Sequence, residues 1–165
     1  MGERLTKNDI KKIEEEINYR KLVVRKEAIE AVKEARAQGD LSENFEYYAA
    51  KRDKNKNESR IRYLEKMVKN ATIYDDKSKS DEVGLNKIVE LYFEEDNETE
   101  TFKITTSIRG NSLGGNISIE SPIVKAIMGH KTGDRVLVKV NDTVSYYVVI
   151  KSIKESDDDD KIRSF

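Results

Sequence analysis

Tyr47, Ala50, Lys54, Asn57, Ile61, Leu64, Val68 and Ala71 follow one another at steps of 3, 4, 3, 4, 3, 4 and 3. That is the rhythm of a coiled-coil seam, and it requires a partner helix of similar length. The partner precedes it in the chain. From about Lys7 to Ala37, Ile10, Ile13, Ile17, Val24, Ala28, Ala31 or Val32, and Ala35 recur on one stripe, with charges elsewhere. Thr6 suits the N-cap of this first helix, and Gly39 stands where a left-handed residue commonly ends one. A break of a few residues between two long helices makes them an antiparallel hairpin. Some thirty residues at about 1.5 Å each give an arm on the order of 45 Å long, too long for the interior of a small globular domain. Arg20, Lys54 and Asn57 on the seam are expected to be partly solvated and to fix the register.

Composition agrees with an exposed arm. Charged residues are 38% and apolar residues 36% of the 165, against about 25% and 45–50% in an ordinary domain. The signs nearly cancel, at 31 Lys and Arg to 32 Asp and Glu, which argues against a simple polybasic DNA binder. By count, residues 1–75 carry a balance of +3 and the remainder −4. Cysteine is absent, so disulfides and thiolate zinc sites are excluded. No apolar run reaches signal-peptide or membrane-span length, and a soluble, cytoplasmic protein is expected, without a membrane partner.

After Asp75 and Asp76 the helical rhythm stops. Residues 77–86 read as a linker, and short β-type runs follow at Lys87–Phe93, Thr101–Thr106, Asn116–Glu120, Arg135–Val140 and Val144–Ile150. One short helix interrupts them, with Ser121 as N-cap, Pro122 at its first position and Gly129 closing it. The expected fold class is thus two-domain: a coiled-coil hairpin over 1–76, a linker over 77–86, and an α+β domain over 87–154 with a mainly antiparallel sheet and one helix. Residues 155–165, with the Asp157–Asp160 run, read as an acidic disordered tail.

At the hairpin turn, Asp40 and Glu43 stand three apart before a helix. One reading is a capping box. The other is a pair of hard oxygen ligands at the end of a long probe, too few and too exposed to hold Mg²⁺ alone but able to complete a site belonging to a partner. Ser42 beside them suits a cap or a hydrogen bond to water. Behind the turn Arg52, Lys56 and Arg60, at i, i+4 and i+8, are expected to form one outer basic stripe, either a solvated face or a contact to RNA phosphates.

The run Glu34-Ala35-Arg36-Ala37-Gln38-Gly39-Asp40-Leu41-Ser42-Glu43-Asn44-Phe45-Glu46-Tyr47-Tyr48-Ala49-Ala50-Lys51 resembles the hairpin tip of the bacterial Gre transcript-cleavage factors, the GreA and GreB family. Ser121-Pro122-Ile123 and Gly129-His130-Lys131-Thr132-Gly133-Asp134-Arg135-Val136 resemble a second family stretch. The resemblance implies a coiled coil followed by an FKBP-like domain that binds RNA polymerase, with the coil entering the secondary channel. It implies no nuclease activity of the chain itself. Asp40 and Glu43 would help the polymerase active centre hold a Mg²⁺ ion, with no cofactor bound by the chain alone. Arg52, Lys56 and Arg60 would meet the nascent RNA 3′ end in the elongation complex. The resemblance leans toward GreA, and a monomer is expected.

Two other readings stand beside this one. The arm could enter the same channel and inhibit, as acidic-tipped paralogues do, although the tip carries no extra acids. Prolyl isomerase activity is suggested only by the FKBP-like resemblance, and no aromatic-lined pocket signature supports it. Phe45 stands where the family commonly has Ala, and is expected to pack on the neighbouring turn or touch the polymerase. The Gly-rich segment 109–116 also departs from the family, and His130 is expected to be a surface residue.

Overall fold

A computed structural model describes residues 2–39, 44–109 and 114–164. The chain separates into two compact units that divide between Thr72 and Ile73, with Arg4–Thr6 grouped with the second.

In the first unit α1 (Lys7–Tyr19) and α2 (Arg25–Ala37) form one continuous helix joined by a π-helical turn at Arg20–Val24, and α3 (Phe45–Asn70) returns alongside. Ile13, Ile17 and Ala35 on the first helix and Tyr47, Ile61 and Leu64 on the second are buried, as the 3–4 spacing requires. Full burial of a side chain such as Ile13 or Leu64 stabilises by about 1.5–3 kcal/mol. Of Ala31 and Val32, it is Val32 that is partly covered. Gly39 has φ +133°, a left-handed value that ends the helix as expected.

The polar residues of the seam are joined in a network. Arg20 Nη1 donates to Asn57 Oδ1 at 3.0 Å, and Asn57 Nδ2 donates back to the Arg20 carbonyl at 3.3 Å. That carbonyl also accepts from Arg25 N–H five residues on, the bond that defines the π turn. The wider turn keeps the carbonyl within reach of a second donor from the facing helix. Glu16 accepts from Arg20 Nε at 2.7 Å and from Arg60 Nε at 2.9 Å, and Arg25 grips Glu58 with two bonds at 2.8 and 2.9 Å.

The second unit opens with β1 (Arg4–Leu5), whose Leu5 carbonyl accepts from Tyr74 N–H just after β2 (Thr72–Ile73). Its sheet has five strands in the order β5-β4-β3-β7-β6. These are β3 (Lys87–Phe93), β4 (Glu98–Thr105), β5 (Asn116–Ser118), β6 (Arg135–Lys139) and β7 (Ser145–Glu155). All neighbours are antiparallel except β4 and β5, with Ile88 opposite Lys103 and Val136 opposite Val148. Side chains alternate as a half-covered sheet demands: Val136 and Val138 of β6 point in, while Arg135, Leu137 and Lys139 point out. The short helix α4 (Pro122–Ile127) supplies Ile123, Val124 and Ile127 to the core, and Ser121 caps it by accepting from Val124 N–H. The two-part architecture is the class the periodicities point to.

Two segments differ from expectation. Residues 77–86 are not a free linker. Val83 and Leu85 belong to the core, and Val83 exchanges backbone bonds with His130 (2.8 Å) and Gly129 (3.0 Å). Beneath them the buried Lys87 ammonium donates to Ser78 Oγ and to the carbonyls of Lys79 and Glu82, enough acceptors for its three protons. Nor is the segment beyond β7 a disordered tail: Asp157 and Asp160 both reach Lys103 Nζ, at 3.2 and 2.7 Å. The opposite charge of Lys103 on β4 holds the acidic run that composition alone leaves free.

Candidate functional site

The tip of the helical unit is fastened on both sides of residues 40–43. Asn44 Nδ2 donates to the Ala35 carbonyl at 2.6 Å, tying the start of α3 to the end of α2, while Asn44 Oδ1 accepts from Tyr47 N–H at 2.9 Å as the N-cap of α3. Next to it the Arg36 guanidinium lies 5.6 Å from the Tyr47 ring centre and donates to the Tyr47 hydroxyl at 3.4 Å. That donor holds the phenol below its ordinary pKa. Tyr47 in turn meets Tyr48 edge-on, with ring centres 5.4 Å apart. Asp40, Ser42 and Glu43 lie outside the described residues. The N-cap of α3 is Asn44.

Arg52 and Lys56 are exposed, and with Tyr48, Lys51, Asn55 and Ser59 they line a shallow open groove along α3. Arg60 does not continue this stripe. Its side chain is only 6% exposed, and it bonds Glu16 through Nε at 2.9 Å and Nη2 at 3.2 Å. The reason is geometric, because eight residues at about 100° each leave Arg60 some 80° away from Arg52 around the helix. The position seven residues on, Ser59, is the one that keeps the outer face. The Glu16 carboxylate is raised by partial burial, but hydrogen bonds from Arg60 and Arg20 more than offset this and its pKa is lowered.

Phe45, 85% exposed, stands at the first position of α3. His130 is a surface residue whose Nδ1 lies 3.1 Å from Asp134 Oδ2. Among the described residues no group of three or more His, Asp or Glu could hold a metal ion, and no helix is long and apolar enough to cross a membrane. Sequence reasoning missed Asn44 and the Arg36–Tyr47 pair. The favoured capping residue directly before the Phe45–Tyr48 aromatics was the available signal.

A helical hairpin and a separate β-rich unit place the chain in a class of two-domain proteins. The N-terminal domain of the GreA/GreB transcription elongation factors matches residues 3–73, and their C-terminal domain matches residues 77–155. This chain belongs to the GreA/GreB family. It is 45% identical over 136 residues to the transcription elongation factor GreA of Geobacillus kaustophilus, covering 82% of this chain and 86% of that protein. The GreA of Bacillus licheniformis is 41% identical over 153 residues, covering 92% of this chain and 95% of that protein. Among solved structures, the GreA factor homolog 1 protein of Thermus thermophilus superposes with a TM-score of 0.44 at 24% identity, over 93% of this chain and 99% of its own.

Proposed function

We propose that this chain acts in the cytoplasm, as a monomer, on RNA polymerase paused on backtracked RNA. In this reading the β-rich unit binds the polymerase and the helical hairpin enters the secondary channel. The polymerase's own active centre then cleaves the RNA behind its 3′ end. The observation that supports it is the double fastening between the end of α2 and the start of α3, Asn44 to Ala35 and Arg36 to Tyr47.

Asp40 and Glu43 supply the chemistry. Carboxylate oxygens are the donor type that Mg²⁺ prefers, and two of them suit an ion whose remaining ligands come from the polymerase. When bound there, Mg²⁺ stabilises charge on the phosphate during hydrolysis. The chain's residues position that site. Ser42 orients the attacking water or caps the turn in this reading, and Arg52 and Lys56 meet the RNA phosphates without reading sequence. Arg60, committed to Glu16, has a structural role.

The test is a stalled elongation complex with labelled RNA. Short 3′ fragments released only when polymerase and this chain are both present support the reading. RNA cleaved by the chain alone would make it a nuclease, and slower nucleotide addition without fragments would make it a channel inhibitor.

A further inference from the structure

The acidic segment after β7 is held at both ends by backbone bonds and in the middle by charge. Ser156 N–H donates to the Asn86 carbonyl at 3.0 Å, and Arg163 N–H donates to the Ile108 carbonyl at 2.8 Å. Between them Asp157 and Asp160 pair with Lys103 of β4, at 3.2 and 2.7 Å. Asp158 pairs with Arg109 at 2.8 Å, Asp160 lies 3.6 Å from the same guanidinium, and Asn116 of β5 donates to Asp160 at 3.1 Å. The Arg109 side chain is fully buried and also donates to Asn86 Oδ1 at 2.7 Å and Thr106 Oγ1 at 3.2 Å. These groups come from separate stretches of the chain that converge on the β5 edge of the sheet.

A cation as deeply buried as Arg109 needs anionic partners of fitting geometry. The ligand is specified further by the acceptors around it. A phosphate chain could satisfy Lys103 and Arg109, but it carries no N–H for the carbonyls of Asn86 and Ile108. A peptide carries both. We propose that Lys103, Arg109 and Asn116, with the carbonyls of Asn86 and Ile108, form a binding site for an acidic peptide segment. In the isolated chain its own residues Ser156–Arg163 occupy that site, and an acidic segment of a partner protein can take their place. The proposal concerns the β-rich unit alone and stands whether or not the hairpin stimulates cleavage.

The test uses the full chain and a labelled synthetic peptide of sequence 156–163. The D157N/D158N/D160N variant, which removes the self-ligand's charge at constant size, is expected to bind the peptide at least about tenfold more tightly than wild type, since an intramolecular competitor has been weakened. Adding Lys103→Gln should abolish that gain. Equal binding by wild type and the triple variant, or polyphosphate binding as tightly as the peptide, overturns the proposal. A second measurement guards against a variant that fails to fold. In wild type, the Arg163 amide should exchange with deuterium more slowly than in the free peptide, and Lys103→Gln should remove that protection. Exchange in wild type at the free-peptide rate overturns the proposal as well.

Discussion

Arg60 Nε and Glu16 Oε2 lie 2.9 Å apart across the two long helices, each one residue before a buried apolar residue of the seam, Ile61 and Ile17. Arg20 shares the same carboxylate at 2.7 Å, and Asn57 bonds Arg20 in both directions. The network consumes a residue whose sequence spacing suggests an outward role.

This pairing makes the hairpin sensitive to acid. Glu16 has a folded pKa below its unfolded value, so its contribution is complete above about pH 4.3 and is lost as pH falls through the lower folded value. Glu16→Gln should therefore lower stability by about 2 kcal/mol near neutrality. The gap to wild type should close in acid. Thermal melts of the two proteins across that range check it, and a gap independent of pH would refute it.

Arg60 and its neighbours in sequence should separate by phenotype. Arg60→Ala should lower the melting temperature by several degrees, because it removes a buried side chain and one of the two cations that hold the part-buried Glu16 carboxylate. Arg52→Ala and Lys56→Ala, on the exposed groove, should leave it within about 0.5 kcal/mol of wild-type stability while weakening the salt-dependent hold on RNA in the elongation complex. Calorimetry and cleavage titrations at two salt concentrations distinguish the two groups.

Gly84 should not accept a methyl group. A Cβ there would come within 1.9 Å of Ser78 Oγ and 2.6 Å of Ser78 Cβ. Ser78 cannot swing aside freely because its hydroxyl is bonded to Asp76 Oδ2 at 2.8 Å and to Lys87 Nζ at 3.1 Å. Gly84→Ala is expected to cost about 1–3 kcal/mol in urea unfolding. Adding Ser78→Gly should recover part of it.

Asn44→Ala should unfasten the tip. Loss of the cap costs about 1 kcal/mol of stability, and loss of the bond to Ala35 frees the start of α3 from the end of α2. Cleavage stimulation should fall more than affinity for the polymerase, which parallel binding and cleavage measurements on one preparation would show.

Local period made much of the fold legible in the sequence. The seam from Tyr47 to Leu64 and the alternation in β6 follow from spacing, because a helix or a strand repeats its facing within a few residues. What spacing does not carry is the choice of distant partners. Nothing near Arg60 announces Glu16, and nothing near Asp160 announces Lys103, so one residue looked exposed and one segment looked free. Val83 was hidden for a related reason: its backbone partners, Gly129 and His130, arrive from beyond α4. The π turn at Arg20–Val24 has no compositional mark, and its Arg20 carbonyl also accepts from Asn57 in the facing helix.

Under the proposed function this chain lends Asp40 and Glu43 to the polymerase active centre and does not cut RNA itself. The most direct measurement is release of labelled 3′ fragments from a backtracked elongation complex by wild type, Asp40→Ala and Glu43→Ala, with affinity for the polymerase measured in parallel. The account predicts fragments with wild type and none with either variant, at unchanged affinity. Equal cleavage by the variants would contradict it.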